Sequence, residues 1–214
     1  MKLDFLIIIN FNKNFSSLSA EEFIEKIIYK KTNCRFLYVS KNFRFGFKRK
    51  GNVETLKKYE KQYNFKNIIV KPFKTKRKII SSTFIRKKIT KGQIEEVNKL
   101  LNRNWSIKGK VIKGQKRGRK IGFPTCNLRL NSYVIPRLGV YAVKVKTNNI
   151  SNNGIANIGY RPTFNGQSLL LETNIFGINK NLYNKVITVS FKKILRAEKK
   201  FKSLKKKKKQ IKID

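Results

Sequence analysis

Hydrophobic and polar positions follow two different rhythms along the chain, and the change falls near Arg103. Before it, short apolar runs at Phe5–Ile9, Arg35–Val39 and Asn67–Val70 read as strands. Between and after them, Ala20–Lys31, Val53–Tyr63 and Ile94–Leu101 carry helical spacing. The first helix has its own entry signal. Ser19 and Glu22 stand at capping-box spacing, Leu18 and Phe23 at staple spacing, and Phe23, Ile24, Ile27 and Ile28 then line one face. Strands alternating with helices predict parallel pairing through crossover helices. Phe5–Ile9 is too short to span a bilayer and no small-residue cleavage site follows it, so it is predicted to be a buried strand of a cytosolic protein.

Beyond Arg103 the period shortens to two. Trp105, Ile107, Gly109 and Val111 alternate with Ser106, Lys108 and Lys110, Tyr141, Val143 and Val145 alternate with Ala142, Lys144 and Lys146, and Ile187, Val189 and Phe191 alternate with Thr188, Ser190 and Lys192. Alternating segments broken by Gly, Asn and Pro turns predict a small antiparallel barrel. The fold class expected is therefore α/β plus all-β, with domains at 1–103 and 104–214. At the end of the chain, Phe201, Leu204 and Ile211 fit one helical face. Lys208 interrupts that face and Lys205–Lys209 repel one another, so the last helix is expected to be weak.

Charge alters this picture less than its size suggests. The 214 residues carry 52 Lys and Arg against 11 Asp and Glu, a formal net charge of +41. Such an excess ordinarily points to nucleic acid. Here the lysines are spread through every segment beside abundant Asn, Ile, Phe and Tyr, as compositional drift toward A/T-rich codons would leave them. No specific nucleic-acid partner is expected, although any polyanion, ATP included, is attracted in a salt-dependent way. Histidine is absent from the whole chain. A His general base, a His-containing triad and a His-ligated metal are excluded, which leaves carboxylate, Lys, Tyr, Cys or an oxygen-held metal for catalysis. Cys34 and Cys126 have no metal-ligand spacing and are expected to be reduced thiols.

The richest segment chemically is Gly114-Gln-Lys-Arg-Gly-Arg-Lys-Ile-Gly-Phe-Pro-Thr-Cys-Asn127. Gly114, Gly118 and Gly122 let backbone approach a ligand, and Lys116, Arg117, Arg119 and Lys120 add positive charge beside exposed amides, a combination that cradles phosphates. Thr125 and Asn127, two residues apart, offer neutral oxygens on one side of an extended segment, which suits a Mg²⁺ already bridged by triphosphate. A plain basic hairpin remains the alternative on these grounds alone.

Gly122-Phe-Pro-Thr-Cys-Asn127 resembles the signature of riboflavin kinases, with Cys126 where that family usually has Ala. The resemblance continues in order through Gly139-Val-Tyr-Ala142, Asn157-Ile-Gly-Tyr-Arg-Pro-Thr163, Leu171-Glu-Thr173, Asn181-Leu-Tyr183 and Leu195-Arg-Ala-Glu-Lys-Lys-Phe201. It implies a six-stranded antiparallel Greek-key barrel with a C-terminal helix, taking ATP and riboflavin as substrates and Mg²⁺ as cofactor. It implies Thr125 and Asn127 at the magnesium, Glu172 as catalytic base, and ATP binding by Gly114, Lys116, Arg117, Gly118, Arg119, Gly122, Pro124 and Thr125. Tyr183 and Arg196 are candidates for closing the flavin pocket. Independently of the resemblance, Glu172 is a carboxylate on a strand face otherwise occupied by Leu170, Asn174 and Phe176, where a base held in apolar surroundings would stand.

The first half resembles the later part of the FMN adenylyltransferase domain that precedes the kinase in bacterial enzymes, a Rossmann-like nucleotidyltransferase. Leu18-Ser-Ala-Glu-Glu-Phe23, Asn42-Phe-Arg-Phe-Gly46 and Ile80-Ser-Ser-Thr-Phe-Ile-Arg86 carry it. Ser81, Ser82 and Thr83 at a helix start, with Arg86 one turn on, suit phosphate; a Ser N-cap alone is the plainer reading. That domain normally opens with a Gly-rich strand and a histidine pair, neither present here. The expectation is a partial domain that makes no FAD by itself, complemented by a separate N-terminal fragment if it makes any.

Overall fold

The computed structural model describes residues 4–75, 78–114, 118, 122–130, 132–148, 150–163, 166–178, 180–199, 201 and 203–214. The chain packs as two units, Met1–Ile79 and Ile80–Asp214, each with its own apolar core.

In the first unit a single turn α1 (Lys13–Ser16) precedes α2 (Ala20–Phe23), which widens into π-helical turns over Ile24–Lys31. The predicted capping box is present: Ser19 Oγ accepts from the Glu22 amide and the Glu22 carboxylate accepts from the Ser19 amide. Widening leaves the predicted face intact, since Ile24, Ile27 and Ile28 are all buried. Strand β1 (Phe36–Ser40) then pairs in parallel with β2 (Lys66–Val70), and α3 (Val53–Tyr59) makes the crossover that parallel strands require. Helix α3 ends four residues short of the predicted Tyr63; a turn follows. Gly46 explains a tight corner, for at φ 72° a Cβ on it would lie 2.7 Å from the Ala20 backbone at the start of α2. A two-residue ribbon, β3 (Lys74–Thr75) with β4 (Lys78–Ile79), ends the unit.

One expectation is overturned. Phe5–Ile9 is not a buried strand; it forms no ladder and its side chains are 41–91% exposed. Among the described residues the parallel sheet of this unit has two strands, β1 and β2. Val39 and Leu37 pack toward Ile24, Ile28 and Leu56, while Phe36 and Tyr38 on the other face stay exposed. A β-prone run is buried only where a ladder and a covering layer exist to receive it, and the described residues of this unit provide neither for Phe5–Ile9.

The second unit opens with α4 (Ser82–Thr90) and α5 (Ile94–Leu101) and continues into six strands: β5 (Ser106–Lys110), β6 (Cys126–Arg129), β7 (Gly139–Thr147), β8 (Ile150–Thr163), β9 (Gly166–Ile175) and β10 (Val186–Ala197). They are ordered β5-β10-β7-β8-β9-β6, antiparallel throughout. A single bridge between Ile112 and Asn127, with the Ile112 amide donating to the Asn127 carbonyl at 2.9 Å, joins the two ends of the order into a barrel. The alternation predicted from sequence sets the interior: Ile107, Val111, Tyr141, Val143, Val145, Ile187, Val189 and Phe191 are all buried. Helix α6 (Leu204–Ile213) follows, capped by Ser203.

Helices α4 and α5 pack with the barrel, because Ile85, Ile89, Ile94 and Val97 belong to its core cluster. Asn98 fastens them: its amide donates to the Phe191 carbonyl at 2.9 Å and its oxygen accepts from the Trp105 amide at 2.7 Å. The compact units accordingly divide at Ile79–Ile80, ahead of the change in rhythm at Arg103.

Candidate active site

Register brings together the residues singled out on β6 and β9. Asn127 stands directly opposite Glu172, and Glu172 stands opposite Asn157 on its other side. Cross-strand partners hold their Cβ atoms about 5 Å apart, so Asn127, Glu172 and Asn157 form one polar rung across three strands. The rung faces away from the core, since the alternate residues Leu171, Thr173 and Ile175 fill the interior.

Two residues along the same face from Glu172, the Asn174 side-chain amide donates to the Pro124 carbonyl at 2.7 Å. That bond ties the Pro124-Thr125 segment to the strand bearing Glu172. Two glycines shape the other side. A Cβ on Gly114 would lie 2.1 Å from Asn127 Nδ2, and one on Gly118 would lie 2.4 Å from the Phe123 carbonyl and 3.3 Å from Thr125 Oγ1. At 118 a side chain would meet backbone, and at 114 it would force the Asn127 amide to move. Gly122 takes φ 87°, which suits glycine. Lys116, Arg117, Arg119 and Lys120 lie outside the described residues.

Asn127 is 5% exposed, and its Oδ1 has no hydrogen-bond partner among the described residues. An orphaned buried acceptor is costly and calls for a donor, a water or a cation. Glu172 is partly exposed, and its Oε2 accepts from Arg161 Nη2 at 2.9 Å. Arg161 in turn gives Nη1 to Glu198 at 3.1 Å. Arg161 and Glu198 stand within the quoted motifs and Asn174 on the face of Glu172, yet the sequence assigned none of them a role. The signal for Arg161 was available, because Asn157, Gly159 and Arg161 alternate on one face of a single strand.

Two cavities border segments of β6 and β9 next to the rung, and their described linings do not include Asn127, Glu172 or Asn157. One, of about 330 Å³, is lined by Val111, Pro124, Thr125, Cys126, Ile178, Lys180 and Tyr183. The other, of about 490 Å³, is lined by Arg129, Tyr133, Ile135, Gln167, Ser168 and Leu170. Tyr183 therefore shares a cavity with Pro124 and Thr125. Arg196 lies apart from both linings: its guanidinium is bidentate to Asp214 at 2.8 and 2.7 Å and stacks over Phe201. Burial pushes the Cys126 thiol above its ordinary pKa, so it is a thiol and not a thiolate at neutral pH.

In the same unit, Ser81 caps α4, its hydroxyl accepting from the Phe84 amide at 3.2 Å. Ser82, Thr83 and Arg86 are exposed on the first turns of that helix.

Comparison with known proteins also splits the chain in two. The riboflavin kinase family model matches residues 101–214 and the FAD synthetase family model residues 1–84. The bifunctional riboflavin kinase/FMN adenylyltransferase of Buchnera aphidicola subsp. Schizaphis graminum is 45% identical over 217 residues, covering 100% of this chain and 70% of that protein. Its counterpart in Haemophilus influenzae is 39% identical, covering 100% and 70%, and that in Bacillus subtilis 38%, covering 98% and 67%. A solved chain titled macrolide-efflux protein, from Streptococcus pneumoniae, superposes with a TM-score of 0.83 at 34% identity, over 96% of this chain and 66% of that one. The chain thus spans about two thirds of the length of the relatives it matches. Among the described residues no helix is long and apolar enough to cross a membrane.

Proposed function

The chain belongs to the riboflavin kinase family, and from that membership we propose that its barrel transfers the terminal phosphoryl group of ATP to the ribityl hydroxyl of riboflavin, giving FMN. The observation that carries the assignment of roles is the direct pairing of Asn127 with Glu172, on strands whose neighbouring residues Thr125, Arg129 and Leu170 line cavities.

Phosphoryl transfer asks the protein for positioning and charge neutralisation more than for covalent chemistry. Glu172 accepts the proton of the attacking hydroxyl, for which it is the carboxylate on the rung. Gly114, Gly118 and Gly122 let main-chain amides approach the phosphates, Pro124 and Thr125 line the nucleotide side, and Lys116, Arg117 and Arg119 add charge. The Asn127 Oδ1, buried and orphaned, and the Thr125 hydroxyl suit a hard cation carried in by triphosphate. Mg²⁺ held there would neutralise phosphate charge as the transfer proceeds. Tyr183, on the cavity shared with Thr125, belongs to the nucleotide side in this reading, and Arg196 anchors α6.

For the domains, we propose 1–103 as derived from the adenylyltransferase and 104–214 as the kinase. The family matches end at residue 84 and begin again at 101, and α5 with most of α4 lies between them while packing with the barrel. A second reading, FMN adenylylation in addition, is favoured by the match at 1–84 and by the relatives' bifunctional names. Ser81, Ser82, Thr83 and Arg86 would serve phosphate there, with a complementing N-terminal segment. Chromatography of flavins formed from riboflavin and MgATP distinguishes the two: FMN alone, or FMN followed by FAD.

The test of the kinase roles is Glu172→Gln, which keeps shape and removes the base. Binding of MgATP and riboflavin should persist while kcat falls by about 10²–10⁴. A parallel loss of binding and rate would make Glu172 structural and refute its role as base.

A further inference from the structure

Resting on the reading of Glu172 as base, we infer that Arg161 and Glu198 are positioning residues that hold the Glu172 carboxylate by one oxygen and leave the other for the substrate hydroxyl. Asn157 faces Glu172 in register, and Gly159 and Arg161 follow on the same face of β8, with Arg161 opposite Ser168. From there the Arg161 side chain must run back along the strand to reach Glu172, and it does so across Gly159. A Cβ on Gly159 would lie 2.2 Å from Glu198 Oε1 and 3.0 Å from Arg161 Nη1. The space a side chain would take at 159 is filled by the ion pair.

The guanidinium is divided between two acids. Nη2 donates to Glu172 Oε2 at 2.9 Å, and Nη1 donates to Glu198 Oε1 at 3.1 Å and to the Tyr160 carbonyl at 2.8 Å. Glu198 lies just beyond the end of β10, so the pair is anchored from a third strand and does not depend on Glu172 for its place. Glu172 Oε1 makes no hydrogen bond among the described residues. A planar guanidinium fixed at two other points fixes the plane of the carboxylate it touches. One cation shared by two carboxylates also leaves a net negative charge in the cluster, which a base needs if it is to take a proton. Paired with Glu172 alone, Arg161 would oppose that proton transfer more strongly.

The experiment is a double-mutant cycle read as kcat and KM separately. Arg161→Met should lower kcat by about 10–100-fold, the cost of a group misplaced by an ångström or so, with KM for MgATP and riboflavin little changed. Arg161→Lys, which keeps a cation, should recover part of the loss, and Glu198→Gln should show a smaller loss of the same kind. In the Glu172→Gln background the Arg161→Met change should alter kcat by no more than about twofold, because a residue acting through Glu172 has nothing left to act on. Gly159→Ala, which displaces the pair without removing a charge, should repeat that pattern and serves if Arg161→Met does not fold. A wild-type kcat in folded Arg161→Met, or the same fold-loss with and without Glu172, would overturn the inference. The second outcome would mean that Arg161 acts on the phosphate or the fold. A Glu172→Gln enzyme with full kcat would instead remove the base reading itself, and the inference with it.

Discussion

Replacing Gly114 by alanine asks whether Asn127 must stay where it is. A methyl group at 114 would sit 2.1 Å from Asn127 Nδ2 and 3.0 Å from Cγ. Ordinary contact is about 3.5 Å, so the amide would have to retreat by roughly 1.4 Å. It has little room to do so. Asn127 is almost fully buried, and its backbone is held by Glu172 in register on one side and by Ile112 on the other. Rotation about its side-chain torsions is the remaining escape, and that rotation carries Oδ1 away from its present position. Two costs then separate. Overpacking a buried site costs about 1–3 kcal/mol of stability, and moving a positioned group by about 1 Å costs about 10²-fold in rate. The expected result is a folded enzyme whose kcat/KM for MgATP falls by about 10²-fold, whose Mg²⁺ requirement rises, and whose affinity for riboflavin holds. FMN formation measured over a matrix of ATP and Mg²⁺ concentrations, beside thermal unfolding, reads all three. Gly122→Ala is the control: among the described residues a Cβ there meets nothing within 4 Å, so the left-handed backbone cost of about 1–2 kcal/mol is what remains. Wild-type MgATP kinetics in folded Gly114→Ala would refute the reasoning, and an equal loss in Gly122→Ala would show that any disturbance of the loop suffices.

Arg196→Met should lower stability by about 1.5–3 kcal/mol, the worth of hydrogen bonds to a charged group, and loosen α6, read by thermal unfolding and by proteolysis near Ser203. Burial pushes the Asp214 carboxyl up, yet its bonds from Arg196 and Gln210 outweigh that and hold it below its ordinary value. The stability it lends is therefore present above pH 3.8 and lost as pH falls below that value, and Arg196→Met should flatten that acid limb. Cys126, its thiol raised by burial, should react slowly with iodoacetamide at neutral pH, and ATP should slow it further, since Cys126 lines the cavity with Thr125. Labelling at an unchanged rate with saturating ATP would remove the nucleotide from that cavity.

The barrel was legible because its inward residues repeat with period two: Trp105, Ile107 and Val111, Tyr141, Val143 and Val145, and Ile187, Val189 and Phe191 all proved to be interior. Periodicity failed where burial depends on partners distant in sequence. Phe5–Ile9 has every local mark of a strand, but among the described residues the parallel sheet of its unit stops at β1 and β2. The break at Arg103 is a real change of rhythm. Compact packing divides earlier, because Ile85, Ile89, Ile94 and Val97 present a helical face to barrel residues that no local pattern could reveal as their partners. At the site, the types of Thr125, Asn127 and Glu172 were legible from motif and chemistry, and their register was not. Arg161 and Glu198 lie 37 positions apart, and their meeting over Gly159 is a property of strand order.

The bridge between Ile112 and Asn127 has a consequence for how the enzyme ages. Five neighbouring pairs of strands are laced by continuous ladders, while among the described residues the sixth contact, between the ends of the order, is that one bridge. The residue at this seam, Asn127, is also one to which the proposed site gives a role. Opening the seam and losing the catalytic geometry are then a single event, and whatever occupies the site draws the seam shut. Occupancy at 100 times the dissociation constant adds about 2.7 kcal/mol to closure, roughly a hundredfold in the lifetime of the Ile112 amide against solvent exchange. An enzyme kept in its substrates should therefore outlast the same enzyme stored empty, and its first failure on storage should be a barrel that unzips beside Asn127.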